Sequence, residues 1–350
     1  MKRFVLWSVL AACSPQYQPT ELLWKTHTLA TGGVHTLVLT ETDGTIDAGT
    51  VETSGPAIAL PQDPSSQQPI ALKLPIATEL AVGARHACIV SAGQVSCWGD
   101  NTGGGLGAQR ACMGEGCALA PDIMPTLPPI RALAAGTDFT CATTNDNTVM
   151  CWGTNNHGEL GGSYVPALDP PKPIMLPDDK PLLVDRVIAN DSTVCAIDRT
   201  MSAWCWGEGF GAMPQRLTYT GVVDVAINGD HGCVLASDGV TCWGDNINGQ
   251  IDATAARQCQ QGAACALGPT NLGIASAQRV VVGARHTCVL DASSDVTCLG
   301  SNEHGQLASS DSFLVGDPTI AFTGAVDLAA GETHNCAIME DRSAWCWGDQ

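Results

Sequence analysis

Gly283-Ala-Arg-His286-Thr-Cys288, followed by Cys298-Leu-Gly300-Ser-Asn302-Glu-His-Gly305-Gln-Leu307, decides how the rest of the chain is read. The pattern recurs throughout. Cys88, Cys141, Cys195, Cys233, Cys288 and Cys336 each open a copy, with Gly or Asn five residues earlier, and Cys97, Cys151, Cys205, Cys242, Cys298 and Cys346 follow nine or ten residues later. A copy without cysteines, Gly32-Gly-Val-His35-Thr-Leu37 with Asp47-Ala-Gly49, brings the number to seven. Self-similarity at a period of about fifty residues marks an array of supersecondary units, each unable to bury its apolar face alone. The array runs from about residue 30 to residue 350, so a single repetitive domain over 21–350 is expected.

Each copy reads as a hairpin. Around Cys233 the turn is Ser237-Asp238-Gly239, flanked by Cys233-Val-Leu and Val240-Thr-Cys242, and Asp-Gly between alternating apolar residues is a strong hairpin signal. Such a turn sets the two cysteines opposite each other, with Cα atoms expected at about 4.5–5.5 Å, within disulfide reach. Each staple should contribute on the order of 3 kcal/mol by restricting the unfolded chain. Trp98, Trp152, Trp206, Trp243 and Trp347 follow the second cysteine, Leu299 replacing them once, and rings at one position per unit read as filler between stacked sheets. A content of 45% hydrophobic and 15% charged residues, with 38 Gly and 20 Pro, suits short strands and tight turns, an all-β fold.

The 17 cysteines divide into twelve in the repeat pairs, four in the closer pairs Cys112 with Cys117 and Cys259 with Cys265, and Cys13 alone. An even set at regular spacing, with no Cys-x-x-Cys pattern, reads as a disulfide framework in an oxidising compartment. Lys2 and Arg3 precede the apolar run Phe4 to Ala12, too short to span a bilayer but suited to a secretory leader. Leu10-Ala11-Ala12-Cys13 resembles the bacterial lipobox, which implies cleavage after residue 12 and acylation of Cys13. Residues 13–20 are then a tether, and Ser14 after the cysteine implies the outer membrane or cell surface of a bacterium.

The pattern Gly-x-x-His-x-Cys with Cys-Trp-Gly-x-Asn-x-x-Gly-Gln-Leu-Gly resembles the repeat of the regulator of chromosome condensation family, as in Trp98-Gly-Asp-Asn101, Trp152-Gly-Thr-Asn155 and Trp243-Gly-Asp-Asn246. The resemblance implies a seven-bladed β-propeller with four strands per blade, one blade for each copy. Two departures stand out. The copy at Cys195 has Asn190 for Gly, Thr193 for His and Gly209 for Asn, and the next copy follows after only 38 residues, so this blade should be trimmed. The last copy stops at Trp347-Gly-Asp-Gln350, so either the chain is incomplete or Glu21 to Leu29 supplies a strand that closes the ring.

Little in the sequence points to catalysis or a cofactor. His35, His86, His231, His286 and His334 share one repeat position, but a repeat-bound His is expected to satisfy a backbone group in its own blade rather than hold a metal. The glycine clusters Gly103-Gly-Gly-Leu-Gly107 and Gly207-Glu-Gly-Phe-Gly211 lack the Lys-Ser or Lys-Thr of a phosphate-cradling loop, and no nucleophile motif stands out. A formal charge of −19, from 16 basic and 35 acidic side chains, repels nucleic acid and leaves a lipid anchor as the only route to a membrane.

The expected function is therefore that of a monomeric, non-enzymatic binding scaffold for a protein or peptide at the cell envelope. Contacts are expected from the two small disulfide loops, from the loop 162–181 with Tyr164, from Phe210, and from the loop around Phe313. Alternatives are a secreted inhibitor of the β-lactamase-inhibitor type, which the repeat class also resembles, and a hydrolase or lyase with its site in the central channel. Nucleotide exchange on a nuclear GTPase, which the family resemblance suggests, suits neither an exported chain nor one without a basic tail.

Overall fold

The structure, a computed structural model, describes residues 20–22, 26–32, 35–42, 45–50, 77–107, 118–123, 127–162, 171–255, 266–274, 276–309 and 316–349. Its strands form antiparallel sheets arranged around a central axis, each sheet running from an inner strand outward. Six of them have four strands. Blade I consists of Glu79–Val82, His86–Ser91, Gln94–Gly99 and Ala118–Ile123. Blade II consists of Ile130–Ala135, Phe139–Thr144, Val149–Gly153 and Lys172–Pro173. Blade III consists of Arg186–Asn190, Thr193–Ile197, Ala203–Gly207 and Gly211–Arg216. Blade IV consists of Asp224–Asn228, His231–Ala236, Gly239–Asp245 and Ala266–Asn271. Blade V consists of Ala277–Val282, His286–Asp291, Asp295–Gly300 and Gly316–Thr323. Blade VI takes Ala325–Ala330, His334–Met339 and Ala344–Gly348, and its outer strand is the N-terminal Thr20–Leu22, in the register Thr20↔Cys346 to Leu22↔Ala344.

The expectation of seven four-stranded blades is corrected to six. The cysteine-free copy forms a three-stranded sheet, Thr26–Gly32, His35–Thr42 and Thr45–Thr50, whose first strand lies between the inner strands of blades VI and I. Thr31 ties it to blade VI by donating to the Ala330 carbonyl (2.7 Å), and Ala30 packs on the core of blade I. This copy has Asp47-Ala48-Gly49 where the others have Cys-Trp-Gly or, once, Cys-Leu-Gly, so it brings neither the staple nor an indole.

The hairpin reading of the cysteines is met in all six blades, where each pair lies in direct register, as in Cys195↔Cys205. All six disulfides are formed, with Cα atoms 4.0–4.1 Å apart, closer than the spacing expected from an unconstrained ladder. Cys13, Cys112, Cys117, Cys259, Cys265, Tyr164 and Phe313 lie outside the described residues. No described helix is long and apolar enough to cross a membrane.

Candidate functional site

The repeated polar residues join blade to blade. His86 Nε2 meets Thr140 Oγ1 of the next blade at 2.8 Å, His231 meets Thr287 at 3.1 Å, and His286 meets Asn335 Oδ1 at 2.9 Å. The expectation that these histidines serve backbone groups of their own blades is thus corrected. The partner is the residue before the next blade's first cysteine, which the ring reaches across the inter-blade gap. Burial pulls His86 and His286 down to about 4 and His231 to about 3, so these rings are neutral at physiological pH.

The loop after each Trp-Gly completes the junction. Asn101, Asn155, Asn246 and Asn302 accept, through Oδ1, from the backbone N–H five residues on, at Leu106, Leu160, Ile251 and Leu307 (2.8–3.0 Å). That bond folds the Gly-x-Leu or Gly-x-Ile turn and turns its apolar tip inward, burying Leu106, Ile251 and Leu307. It also aims the preceding carbonyl at the next blade: Gly105, Glu159 and Gln306 accept from the indole N–H of Trp152, Trp206 and Trp347 at 2.8–2.9 Å. Gly105 O and Gln306 O take a second donor, Thr140 Oγ1 and Asn335 Nδ2. One junction therefore joins a ring, a hydroxyl or amide, a loop carbonyl and an indole in a single network.

Between blades III and IV only the indole of that network, Trp243, remains. Thr193 stands for His, Gly232 for Thr or Asn, and Glu208-Gly209-Phe210 replaces the long loop and its Asn. A cavity of about 330 Å³ opens there, lined by Thr193, Glu208, Phe210, Asp230, Gly232 and Trp243 among others. Trp98, Trp152, Trp206 and Trp347 are at most 1% exposed, whereas Trp243, expected as core filler, is half-buried and stacks on Tyr219 at 6.1 Å. Among the described residues no acceptor is recorded for its indole N–H. Phe210, one of the three aromatic residues singled out from sequence, lies half-buried in this wall.

The central channel is a separate cavity of about 230 Å³, walled by the inner strands with Ala81, Ala134, Ala226 and Val281 among its residues. At the end where the inner strands begin, cations are paired with carboxylates: Arg186 with Asp224 (2.7 Å), Arg279 with Asp327 (2.6 Å) and Arg131 with Asp185 (3.7 Å). At the other end the inner strands touch through backbone. A Cβ on Gly136 would sit 2.5 Å from Asp191 O, and one on Gly283 would sit 2.6 Å from Gly331 O, which explains the leading Gly of the repeat.

That pinched end gathers a second set of carboxylates, Asp191, Glu208, Asp230 and Glu332. Asp191, with φ of +44°, accepts at Oδ2 from Asn228 (2.8 Å) in the amide orientation that satisfies both ends of that side chain. Burial, and then Glu332, Glu208 and Asp230, push its carboxyl above the usual range. Arg85 and Arg285, which flank this end, already face Asp138 (2.9 Å), Asp100 (3.2 Å) and Glu303 (4.0 Å).

Residues 130–159, 222–250, 278–306 and 325–350 match the model of the regulator of chromosome condensation (RCC1) repeat. Those four segments are similar to RCC1 repeats. Among curated relatives, the human probable E3 ubiquitin-protein ligase HERC6 is 28% identical over 256 residues, 66% of this chain and 24% of that protein. The Arabidopsis thaliana ultraviolet-B receptor UVR8 is 25% identical over 291 residues, 77% of this chain and 63% of that protein. The chain thus spans less than two thirds of either relative. Two solved structures share the fold at 18% identity: human WBSCR16, with a TM-score of 0.72 over 94% of this chain and 88% of that one, and yeast RCC1 (Prp20) bound to Kap60, with 0.73 over 93% and 81%. In this propeller the features that sequence reasoning missed are the cross-blade histidine bonds and the open III–IV junction. The substitutions at 193, 209 and 232 signalled the latter together.

Proposed function

We propose that this RCC1-repeat propeller is a binding scaffold, exported and held at the bacterial cell envelope by a lipid on Cys13, that offers its acidic loop face to a basic protein or peptide. The observation that carries this reading is the acidic end of the channel. Glu332, Glu208 and Asp230 lie close enough to add to the effect of burial in raising the Asp191 carboxyl, while the flanking Arg85 and Arg285 have carboxylates of their own. An unbalanced negative field favours basic partners and speeds their encounter.

Relatives support a protein partner: yeast RCC1 is bound to Kap60 in one structure, and Prp20p is described with binding properties to Gsp1p and histones. Inhibition of an enzyme by the same face is a special case of this reading. Catalysis is not part of it, since the recurring polar groups serve the junctions between blades. Export rests on the leader-like segment 1–12 and on six disulfides, which need an oxidising compartment.

The test is capture from envelope extract on the immobilised, oxidised chain. A saturable partner should elute as NaCl rises from about 0.1 M to about 0.5 M, where screening shortens to a few ångströms. It should not be retained by Asp230→Asn with Glu332→Gln. Absence of any partner, or retention indifferent to both salt and these substitutions, refutes the scaffold reading. Labelled palmitate that enters the wild-type chain but not Cys13→Ala checks the anchor.

A further inference from the structure

We infer that the open junction between blades III and IV is a receptor pocket for an arginine side chain presented by a peptide or protein segment. For its biological role the inference rests on the scaffold reading above, but it makes a chemical claim of its own about one cavity. Three features of that cavity select the occupant. Phe210 and Trp243 form its aromatic wall, partly bare where blades I, II, III and VI bury the equivalent indole. Glu208 and Asp230 stand exposed at its edge, and neither belongs to an ion pair among the described residues. The loop carbonyl that accepts from Trp152, Trp206 and Trp347 in the closed junctions has no counterpart here.

An arginine residue supplies what each feature lacks. Its guanidinium is planar and weakly hydrated, so it stacks on an aromatic face and pairs with carboxylates at the same time. Its methylene stem covers apolar wall, and its own main-chain carbonyl is an acceptor for the Trp243 N–H. An ammonium group is a compact and strongly hydrated charge that gains less from the rings, so lysine fits less well. The cavity volume of about 330 Å³ admits one such side chain. The site follows from three simultaneous losses at one junction of a repetitive ring. Thr193 in place of His, Gly232 in place of Thr or Asn, and the three-residue loop each remove volume from the same place.

The experiment uses the full oxidised chain labelled with 15N at its indoles. The probes are the acetylated, amidated tripeptide Gly-Arg-Gly, its neutral isostere with citrulline, and the lysine analogue. The Trp243 indole resonance is assigned from Trp243→Leu, a residue that the repeat already accepts at Leu299. The arginine peptide should shift that resonance saturably and leave those of Trp152, Trp206 and Trp347 in place. Binding should weaken at least tenfold in the double variant Glu208→Gln with Asp230→Asn, whose side chains are exposed and whose fold circular dichroism verifies. Citrulline should give no shift, and lysine should bind several-fold more weakly. Equal shifts from citrulline, equal binding of lysine, or full binding by the double variant each overturn the assignment. These outcomes are separable from failure of the scaffold reading: an arginine-specific shift without any captured partner would refute that reading alone, and a captured partner without the shift would refute the pocket alone.

Discussion

His86 and His286 are neutral because they are dry, burial holding their imidazoles near 4, and His231 is held near 3. In the unfolded chain the same rings titrate near about 6.5. As pH falls below that value the unfolded chain takes up protons that the folded chain refuses, so stability falls. The contribution is complete above about pH 6.5 and is lost down to the folded value, up to about 3 kcal/mol each for His86 and His286 and about 5 kcal/mol for His231. The urea midpoint should drop accordingly between pH 6.5 and pH 4, a window bounded by the folded value of about 4 for His86. His86→Asn should flatten the slope in that window by up to about 1.4 kcal/mol per pH unit. An unchanged slope in that variant contradicts the buried-neutral assignment. The sequence makes the equivalence of these histidines plain but not their partners. Thr140, Thr287 and Asn335 share a position that also holds Ala87, Val194 and Gly232, so no conserved pairing could be read along one chain.

At the scale of one loop, the Asn of Trp-Gly-x-Asn is a local fold that acts at a distance. Asn302 accepts from Leu307 N at 2.8 Å and donates to Ser309 O at 3.0 Å, and the turn so formed delivers Gln306 O to Trp347 and Asn335. Asn302→Ala removes the acceptor of a buried N–H and loosens the carbonyl two residues' partners depend on, at an expected cost of about 2–3 kcal/mol. Chemical denaturation should register that loss, and hydrogen exchange at the Trp347 indole should accelerate. A variant with wild-type stability and a protected indole would mean that packing of Leu307 alone holds the loop. The four loops with Asn were legible from their shared Gly and the Leu or Ile two residues after it. Their reach into the next blade was not, because the acceptor is a backbone carbonyl, which leaves no trace in residue type. For the same reason the trimmed loop at Glu208–Phe210 was readable as an omission, while the cavity it opens depended on the neighbour's Gly232 and Trp243.

At the scale of the ring, the repeat count overstated the number of full blades, since the cysteine-free copy keeps the Gly-x-x-His start but contributes only a three-stranded sheet. The six stapled blades were legible because each cysteine pair fixes a hairpin register on its own. Closure is a different matter, because Thr20–Leu22 joins Ala344–Gly348 across nearly the whole length of the chain. Sheet edges that lack a partner are weak points, and this short strand is what covers the edge of blade VI. Glu21→Pro combined with Leu22→Pro removes two successive backbone donors, so that whichever of them faces the ladder is lost. Amide exchange at whichever of the register partners Ala344, Trp345 and Cys346 turn their N–H toward this strand, rather than toward His334–Met339, should then accelerate by at least about tenfold, equivalent to about 1.4 kcal/mol of local opening. Amides of Ala203–Gly207 in blade III, which have their own outer strand at Gly211–Arg216, should keep their protection. If both sets exchange at wild-type rates, the ring does not depend on this strand; if both accelerate together, closure stabilises the whole propeller and not only its last blade.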